Sequence, residues 1–186
     1  ERMDALVEDL LSWARLGQPG AGFTRVDVSR VVSEVIEDLR ASFDEVGAHV
    51  EVTELPWVYG SAPQLRRLFT NLLTNAIRYR HAERPLRISV GVTEQPARSA
   101  SGRLTTCKRQ IVVRDNGVGF DRAQAERIFE PFRRLVATAG GTGLGLTICR
   151  TIVENHGGSI AALATPDQGA VFTLMLPSYA AAQERV

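Results

Sequence analysis

The stretch that most restricts what this chain can become is Gly140-Gly141-Thr142-Gly143-Leu144-Gly145-Leu146, which runs without a break into Thr147-Ile148-Cys149-Arg150-Thr151-Ile152-Val153-Glu154-Asn155-His156. In the second part Leu144, Ile148, Cys149, Ile152, Val153 and His156 recur at three- and four-residue steps, so the spacing predicts a helix with one apolar face. Glycines at a helix start let another group approach the backbone closely. The first N–H groups of such a helix, unpaired internally, can point at an anion. A phosphate fits, and so does a tight turn or close helix packing. Two common nucleotide schemes do not apply. Lys108 is the only lysine, so no glycine loop is followed by the lysine of a P-loop, and Arg114-Asp115-Asn116-Gly117-Val118-Gly119 does not open a helix as a dinucleotide fingerprint does.

A second informative helix begins at Ser61-Ala62-Pro63-Gln64, which has capping-box spacing with proline in the first turn. Leu65, Leu68, Phe69, Leu72, Leu73, Ala76 and Ile77 form its apolar face. Asn71, Asn75, Arg78 and Tyr79 align along one side of that face. Asparagine is a poor helix-interior residue, so the pair at 71 and 75 reads either as exposed or locally bonded amides or as two neutral oxygens for a hard cation. An arginine for an anion and an aromatic ring for a base lie beside them. Strands are expected at 87–92 and 110–113, joined by a polar hairpin excursion from Gln95 to Arg109. The second strand leads into Asp115, which with its two glycines is either a turn or an acceptor for a base amino group with room cleared for the ring.

Elsewhere, Met3, Leu6, Val7, Leu10, Leu11 and Ala14 predict a helix over residues 1–16, ended by Gly17 and Pro19, too short to stand alone in water. Residues 17–26 read as a linker, and a helix capped by Asp27 or Ser29 follows, with Val31, Val32, Val35, Ile36, Leu39 and Phe43 inward and Gly47 as its stop. A strand is expected at 49–53 and a turn at 56–60. A short helix ends in Ile128-Phe129-Glu130-Pro131-Phe132, and a closing strand pair covers 159–163 and 170–176. His49 reads as an outward strand residue and His156 as a packed helix-end residue rather than a catalyst. A chain of 186 residues with 44% hydrophobic content suits one domain with an appendage. Net charge is +1 and the arginines are scattered, which gives no footprint for nucleic acid or an anionic membrane. Cys107 and Cys149 lie far apart without a ligand-spaced histidine, which argues against zinc and fits a reducing compartment. No apolar run reaches membrane-spanning length, and a first residue other than methionine reads as a piece of something longer.

Four signals in one order then resemble the histidine-kinase type of ATPase, the superfamily that also holds gyrase and mismatch-repair ATPases. Asn71-Leu72-Leu73-Thr74-Asn75-Ala76-Ile77-Arg78-Tyr79 is similar to its N box, Asp115-Asn116-Gly117-Val118-Gly119 to its first glycine box, Phe129-Glu130-Pro131-Phe132 to its F box and Gly141-Thr142-Gly143-Leu144-Gly145-Leu146 to its second glycine box. The resemblance covers residues 27–177, and the F box points to sensor histidine kinases. The neighbourhood from Asn75 to Arg84 is most like the phytochrome-type branch. Residues 1–16 resemble the end of the second helix of a dimerisation and phosphoacceptor hairpin, and 178–186 are left as a tail.

That resemblance implies an α/β fold, a two-layer sandwich with a mixed, largely antiparallel sheet of about five strands and three helices on one face, plus the N-terminal helix. It implies ATP and Mg2+ as cofactors. Asn75 would coordinate Mg2+ with help from Asn71, Arg78 would face phosphate and Tyr79 would line the adenine site. Asp115 would accept from the adenine amino group while Gly117 and Gly119 keep the pocket open. Arg134 would reach the terminal phosphate, and amides of Gly141, Thr142, Gly143, Leu144 and Gly145 would cradle the phosphates, under a mobile lid from Phe120 to Gly140. Two departures stand out: the lid between Leu135 and Gly141 is short and uncharged, and the phosphoacceptor histidine is absent. The expected activity is ATP-dependent phosphorylation of a histidine on that missing hairpin, in cis or trans. A response-regulator receiver domain would be the next acceptor, and the full protein a homodimer in the cytoplasm, soluble or membrane-anchored, with no nucleic acid partner and no membrane contact by this part. The alternatives are a degenerate nucleotide-binding signalling module and an anti-sigma-type serine kinase or ATPase switch.

Overall fold

The computed structural model describes residues 22–98, 104–135 and 141–177. The expected helix at 1–16, the tail at 178–186 and the middle of the lid at 136–140 lie outside the described residues. In chain order the elements are β1 (Thr24–Asp27), α1 (Val28–Asp38), α2 (Arg40–Glu45), β2 (His49–Val52), β3 (Trp57–Gly60), α3 (Ala62–Arg78), β4 (Arg87–Arg98), β5 (Leu104–Asp115), two single 3-10 turns (Arg122–Gln124 and Arg127–Phe129), α4 (Gly145–Asn155), β6 (Ser159–Thr165) and β7 (Gly169–Met175).

Five strands form one sheet in the order β2-β4-β5-β7-β6. β2 and β4 run parallel and every other pair is antiparallel, as expected for a mixed, largely antiparallel sheet. Because side chains alternate along a strand, the register aligns ranks of apolar residues on one face. Val90, Val113, Phe172 and Ala162 form one rank, and Val92, Ile111, Leu174 and Ile160 the next. Against this face lie the buried stripes of α1 (Val31, Val32, Val35), α3 (Leu65, Leu68, Phe69, Leu72, Leu73) and α4 (Ile148, Cys149, Ile152, Val153), all in one hydrophobic cluster. Removing any of the larger members would cost about 2–5 kcal/mol. The fold is the expected two-layer α/β sandwich.

Four local expectations change. The helix after Asp27 does not run unbroken to Phe43 but is divided at Leu39, whose ψ of 2° departs from helical geometry. Asp27 is its cap, accepting from the Arg30 N–H, while the Ser29 hydroxyl is instead exchanged with the Leu55 backbone across 26 residues. Residues 57–60 are a strand rather than a turn, and three of the four residues of their partner β1, Thr24 to Val26, lie inside the stretch read as linker. Within the expected excursion, residues 95–98 continue β4 and residues 104–109 begin β5, with a register shift between Gln95 and Ala97. For Ser29 and for residues 57–60 the deciding contact is with a distant segment, which local periodicity does not carry.

The fourth change concerns Ser61, which sits at the N-cap of α3 without a side-chain cap bond. Its backbone N–H donates instead to Nε2 of His156, 95 residues away, at 3.0 Å. The Nδ1 of the same ring lies 2.7 Å from the Ile152 carbonyl, an acceptor only, so Nδ1 carries the proton and the ring is neutral. Phe23 stacks on the ring at 4.4 Å, and Gly60 faces it closely, since a Cβ there would lie 2.5 Å from the imidazole. His156 is thus the expected packed residue, and it joins the C-terminus of α4 to the N-terminus of α3. Burial pushes its pKa below the ordinary 6.5, opposed by the bond to Ile152. A base whose folded pKa is depressed binds fewer protons in the native state. Its stabilising contribution is therefore complete above pH 6.5 and is lost as pH falls through the folded value. Thermal unfolding should show a lower midpoint at about pH 5 than at about pH 7.5, and His156→Gln should flatten that dependence.

Candidate functional site

The C-terminal half of α3, the loop after β5, the turns at 122–129 and the start of α4 surround a cleft of about 610 Å3, counting its open mouth. Asn75, Tyr79, Asp115 and Gly119 of the expected set line it, together with Phe120, Ile128, Arg133, Leu135, Leu146, Ala170 and Phe172. Four separated stretches of sequence, 75–79, 115–135, 146 and 170–172, therefore meet at one place. A mainly apolar wall with a few convergent polar groups suits a flat heteroaromatic ring bearing hydrogen-bonding edges.

Asp115 ends β5, and its Oδ1 accepts from Gly117 N–H at 2.8 Å and from Ala170 N–H at 3.3 Å. Its pKa is raised, chiefly by burial, with the two amide bonds pulling the other way. Among the described residues no donor bonds Oδ2, which leaves one carboxylate oxygen for a guest amino group. The loop carrying it is pressed between backbones. Val118 N–H donates to the Tyr79 carbonyl at 2.9 Å, and Asp167 N–H donates to the Val118 carbonyl at 2.8 Å. Gly119 has φ of +61°, and a Cβ there would lie 2.1 Å from the Thr165 carbonyl oxygen. No side chain fits at that point. Gly117 is buried, with Tyr79 O 2.4 Å from where its Cβ would be.

The two asparagines are placed differently. Asn75 is half-buried in the cleft wall, whereas Asn71 lies outside the lining and spends its amide nitrogen on the Gly145 carbonyl at 3.1 Å. Asn71 thereby ties α3 to the first turn of α4. Arg78 is exposed, its guanidinium resting against Gly141, where a Cβ would come within 2.5 Å of Nη1. Thr142 Oγ1 accepts the Leu144 N–H at 3.2 Å, and the Leu144 side chain is fully buried, so of Leu144 only the backbone faces the loop. Gly143, at φ +78°, lies against the Phe132 backbone. Of the two amide oxygens expected to meet a hard cation, only that of Asn75 belongs to a residue of the cleft lining. Among the described residues there is no cluster of three acidic, histidine or cysteine side chains to bind a metal unaided.

The F box divides in two. Phe129 is buried, its carbonyl accepts from Thr147 Oγ1 at 2.9 Å, and Arg150 covers its ring at 4.2 Å. Phe132 is 56% exposed with φ of +60°, a strained conformation for a bulky residue. Past that reversal Arg133 lines the cleft, with Nη2 3.4 Å from Gln124 Oε1 and a buried Nε that has no partner. Arg134, the residue singled out from sequence, is half-buried outside the lining. Two adjacent arginines are indistinguishable in sequence, and the backbone turn selects between them. The apolar lining residues Ile128, Leu135 and Leu146 were not singled out from sequence, because an apolar residue carries no sign of which cavity it faces.

The fold is that of a catalytic domain of the histidine-kinase type, and the comparisons agree. Residues 60–180 match the family described as histidine kinase-, DNA gyrase B-, and HSP90-like ATPase, and the chain belongs to that family. Within it, the chain is a sensor-histidine-kinase catalytic domain, similar to phytochrome-like protein Cph1 of Synechocystis sp. (strain ATCC 27184 / PCC 6803 / Kazusa), at 33% identity over 94% of this chain and 22% of that protein. Adaptive-response sensory kinase SasA of Synechococcus sp. (strain CC9902) is 34% identical over 95% of this chain and 45% of its own length. The chain thus spans less than half of either relative. Among solved structures, full-length ShkA in complex with AMPPNP superposes with a TM-score of 0.71 at 26% identity, over 93% of this chain and 35% of that one. The mycobacterial sensor histidine kinase MprB gives 0.67 at 25% identity, over 84% and 97%.

Gly119→Ala and Gly47→Ala separate close approach from backbone strain, because Gly47 has φ of +60° with nothing within 4 Å of a Cβ. Chemical denaturation should show a loss of about 1 kcal/mol for Gly47→Ala and at least about 2 kcal/mol for Gly119→Ala.

Proposed function

We propose that this domain binds ATP with Mg2+ and transfers the terminal phosphoryl group to a histidine on a dimerisation hairpin outside the described residues. The observation that carries the reading is the convergence of Asn75, Tyr79, Asp115, Gly119 and Arg133 on one cleft, beside the glycine-led start of α4. The adenine amino group donates to Asp115, with Tyr79 and the apolar lining against the ring. The phosphates then extend past Asn75 toward Arg78 and the backbone from Gly141 to Gly145. Bound Mg2+ would neutralise phosphate charge, with the Asn75 amide oxygen as ligand and Asn71 in support. A histidine nitrogen attacks the terminal phosphorus in line, the N–P bond forms, and the bond to the bridging oxygen breaks to release ADP. Arg134, on the lid beside Arg133, meets the terminal phosphate when the lid closes. Such chemistry asks for positioning and charge compensation rather than covalent help from the domain.

The wider reading extends the similarity to sensor histidine kinases. The hairpin is supplied in cis or trans within a homodimer, a response-regulator receiver domain takes the phosphoryl group, and the domain works in the cytoplasm. No described helix is long and apolar enough to cross a membrane.

Incubating the chain with labelled ATP, Mg2+ and a separately supplied histidine hairpin should place acid-labile phosphate on the hairpin. Binding without transfer would favour a non-catalytic signalling module, and phosphate stable to acid would favour a serine kinase. Asn75→Ala should weaken Mg-ATP binding by at least about tenfold in calorimetry, some 1.4 kcal/mol, and unchanged affinity would rule out the cation role. Arg134→Ala should slow transfer more than it weakens ADP binding, whereas Arg133→Ala should weaken ADP binding itself.

A further inference from the structure

The loop that follows Asp115 lies beyond the end of β5, where the Asn116 and Gly117 carbonyl groups have no strand partner. Backbone acceptors in such a place still need donors when they are shielded from water. One side chain supplies them. Arg84, in the connection between α3 and β4, donates from Nε to the Asn116 carbonyl at 2.8 Å and from Nη2 to the Gly117 carbonyl at 2.8 Å. The same Nη2 reaches the Asp167 carbonyl at 2.6 Å. Asp167 belongs to the β6–β7 turn, whose far side provides the Ala170 N–H that bonds Asp115. Both supports of the cleft carboxylate, the loop after β5 and the turn before β7, are therefore held by one guanidinium.

A second set of bonds keeps Arg84 in register with that loop. Asn116 Oδ1 accepts the Arg87 N–H at 2.8 Å, and Asn116 Nδ2 donates to the Pro85 carbonyl at 3.0 Å. The segment 84–87 and the loop 115–117 are thus zipped together by side chains from both. A planar fork with fixed donor directions can serve three carbonyls at once. A lysine ammonium, a compact point charge on a flexible stem, cannot span them.

We propose that Arg84 is a positioning residue for recognition of the base, acting through Asp115 without touching the nucleotide. It sets the distance between the Asp115 loop and the β6–β7 turn, and hence the place of the carboxylate oxygen that meets the purine edge. This deepens the nucleotide-binding reading and rests on it. Loss of the fork should damage discrimination between bases while leaving the phosphate end of the site intact, since Arg78 and the glycine loop are held by other contacts. A merely structural arginine would weaken all ligands alike.

The test compares the wild-type chain with Arg84→Ala and Arg84→Lys, titrating Mg-ADP, Mg-GDP and inorganic tripolyphosphate, with circular dichroism to verify folding. Both variants should bind ADP about tenfold more weakly and lose most of the preference for ADP over GDP, with tripolyphosphate affinity unchanged within about twofold. If the alanine variant fails to fold, the lysine variant decides alone. Wild-type ADP binding with unchanged variants overturns the positioning role only, as does an equal loss for ADP and tripolyphosphate or full function in Arg84→Lys. A wild-type chain that binds no ADP overturns the nucleotide reading and this inference with it.

Discussion

Everything in the site depends on how α3 is seated. Its apolar stripe from Leu65 to Ala76 is buried between α1, α4 and the sheet. Burial of that many large side chains leaves the helix no freedom to rotate. The direction of Asn71, Asn75 and Tyr79 is then a consequence of core packing, because residues three and four apart share a side. The polar stripe and the apolar stripe are two faces of one helix, and fixing the second fixes the first. Asn71 adds a direct tie to the Gly145 carbonyl, so α4 and its glycine-led start are placed by the same helix.

Close approach of backbones is the other organising feature. Around Asp115 the loop after β5 lies against the carbonyls of Tyr79, Thr165 and Gly169, at distances where a Cβ would collide. Glycine there brings polar backbone groups into bonding range and keeps the base side of the cleft open. The cost is a set of carbonyls stranded outside the sheet ladder. Arg84 answers for three of them, and a half-buried arginine otherwise hard to account for becomes part of the site's framework. The glycine loop before α4 uses the same principle, with Gly141 against Arg78 and Gly143 against the Phe132 backbone.

The lid stem shows how one motif divides its labour. Phe129 is anchored by Thr147 and Arg150 of α4, whereas Phe132, three residues on, is turned outward with a left-handed backbone. That reversal aims Arg133 into the cleft and leaves Arg134 beside it. The two are neighbours in sequence and equal in charge, so the assignment of the inner cation rests on a single backbone dihedral.

Much of this was legible from residue order. The stripes of α3 and α4 and the strands of the main sheet follow from helical and strand periodicity, because these signals are local, whereas the grouping of Asn75, Tyr79, Asp115 and Gly119 was implied by the resemblance of four motifs to the histidine-kinase type of ATPase. The pairing of β1 with β3, the bond from Ser61 to His156 and the clamp of Arg84 were not legible. Each joins segments whose separation in the chain says nothing about their distance in space, and their energy exists only once the core has brought them together. The chain by itself determined which chemistry could be present in the cleft. Tertiary packing decided which of two arginines and which of two asparagines face it, since orientation is set by neighbours that no single stretch contains.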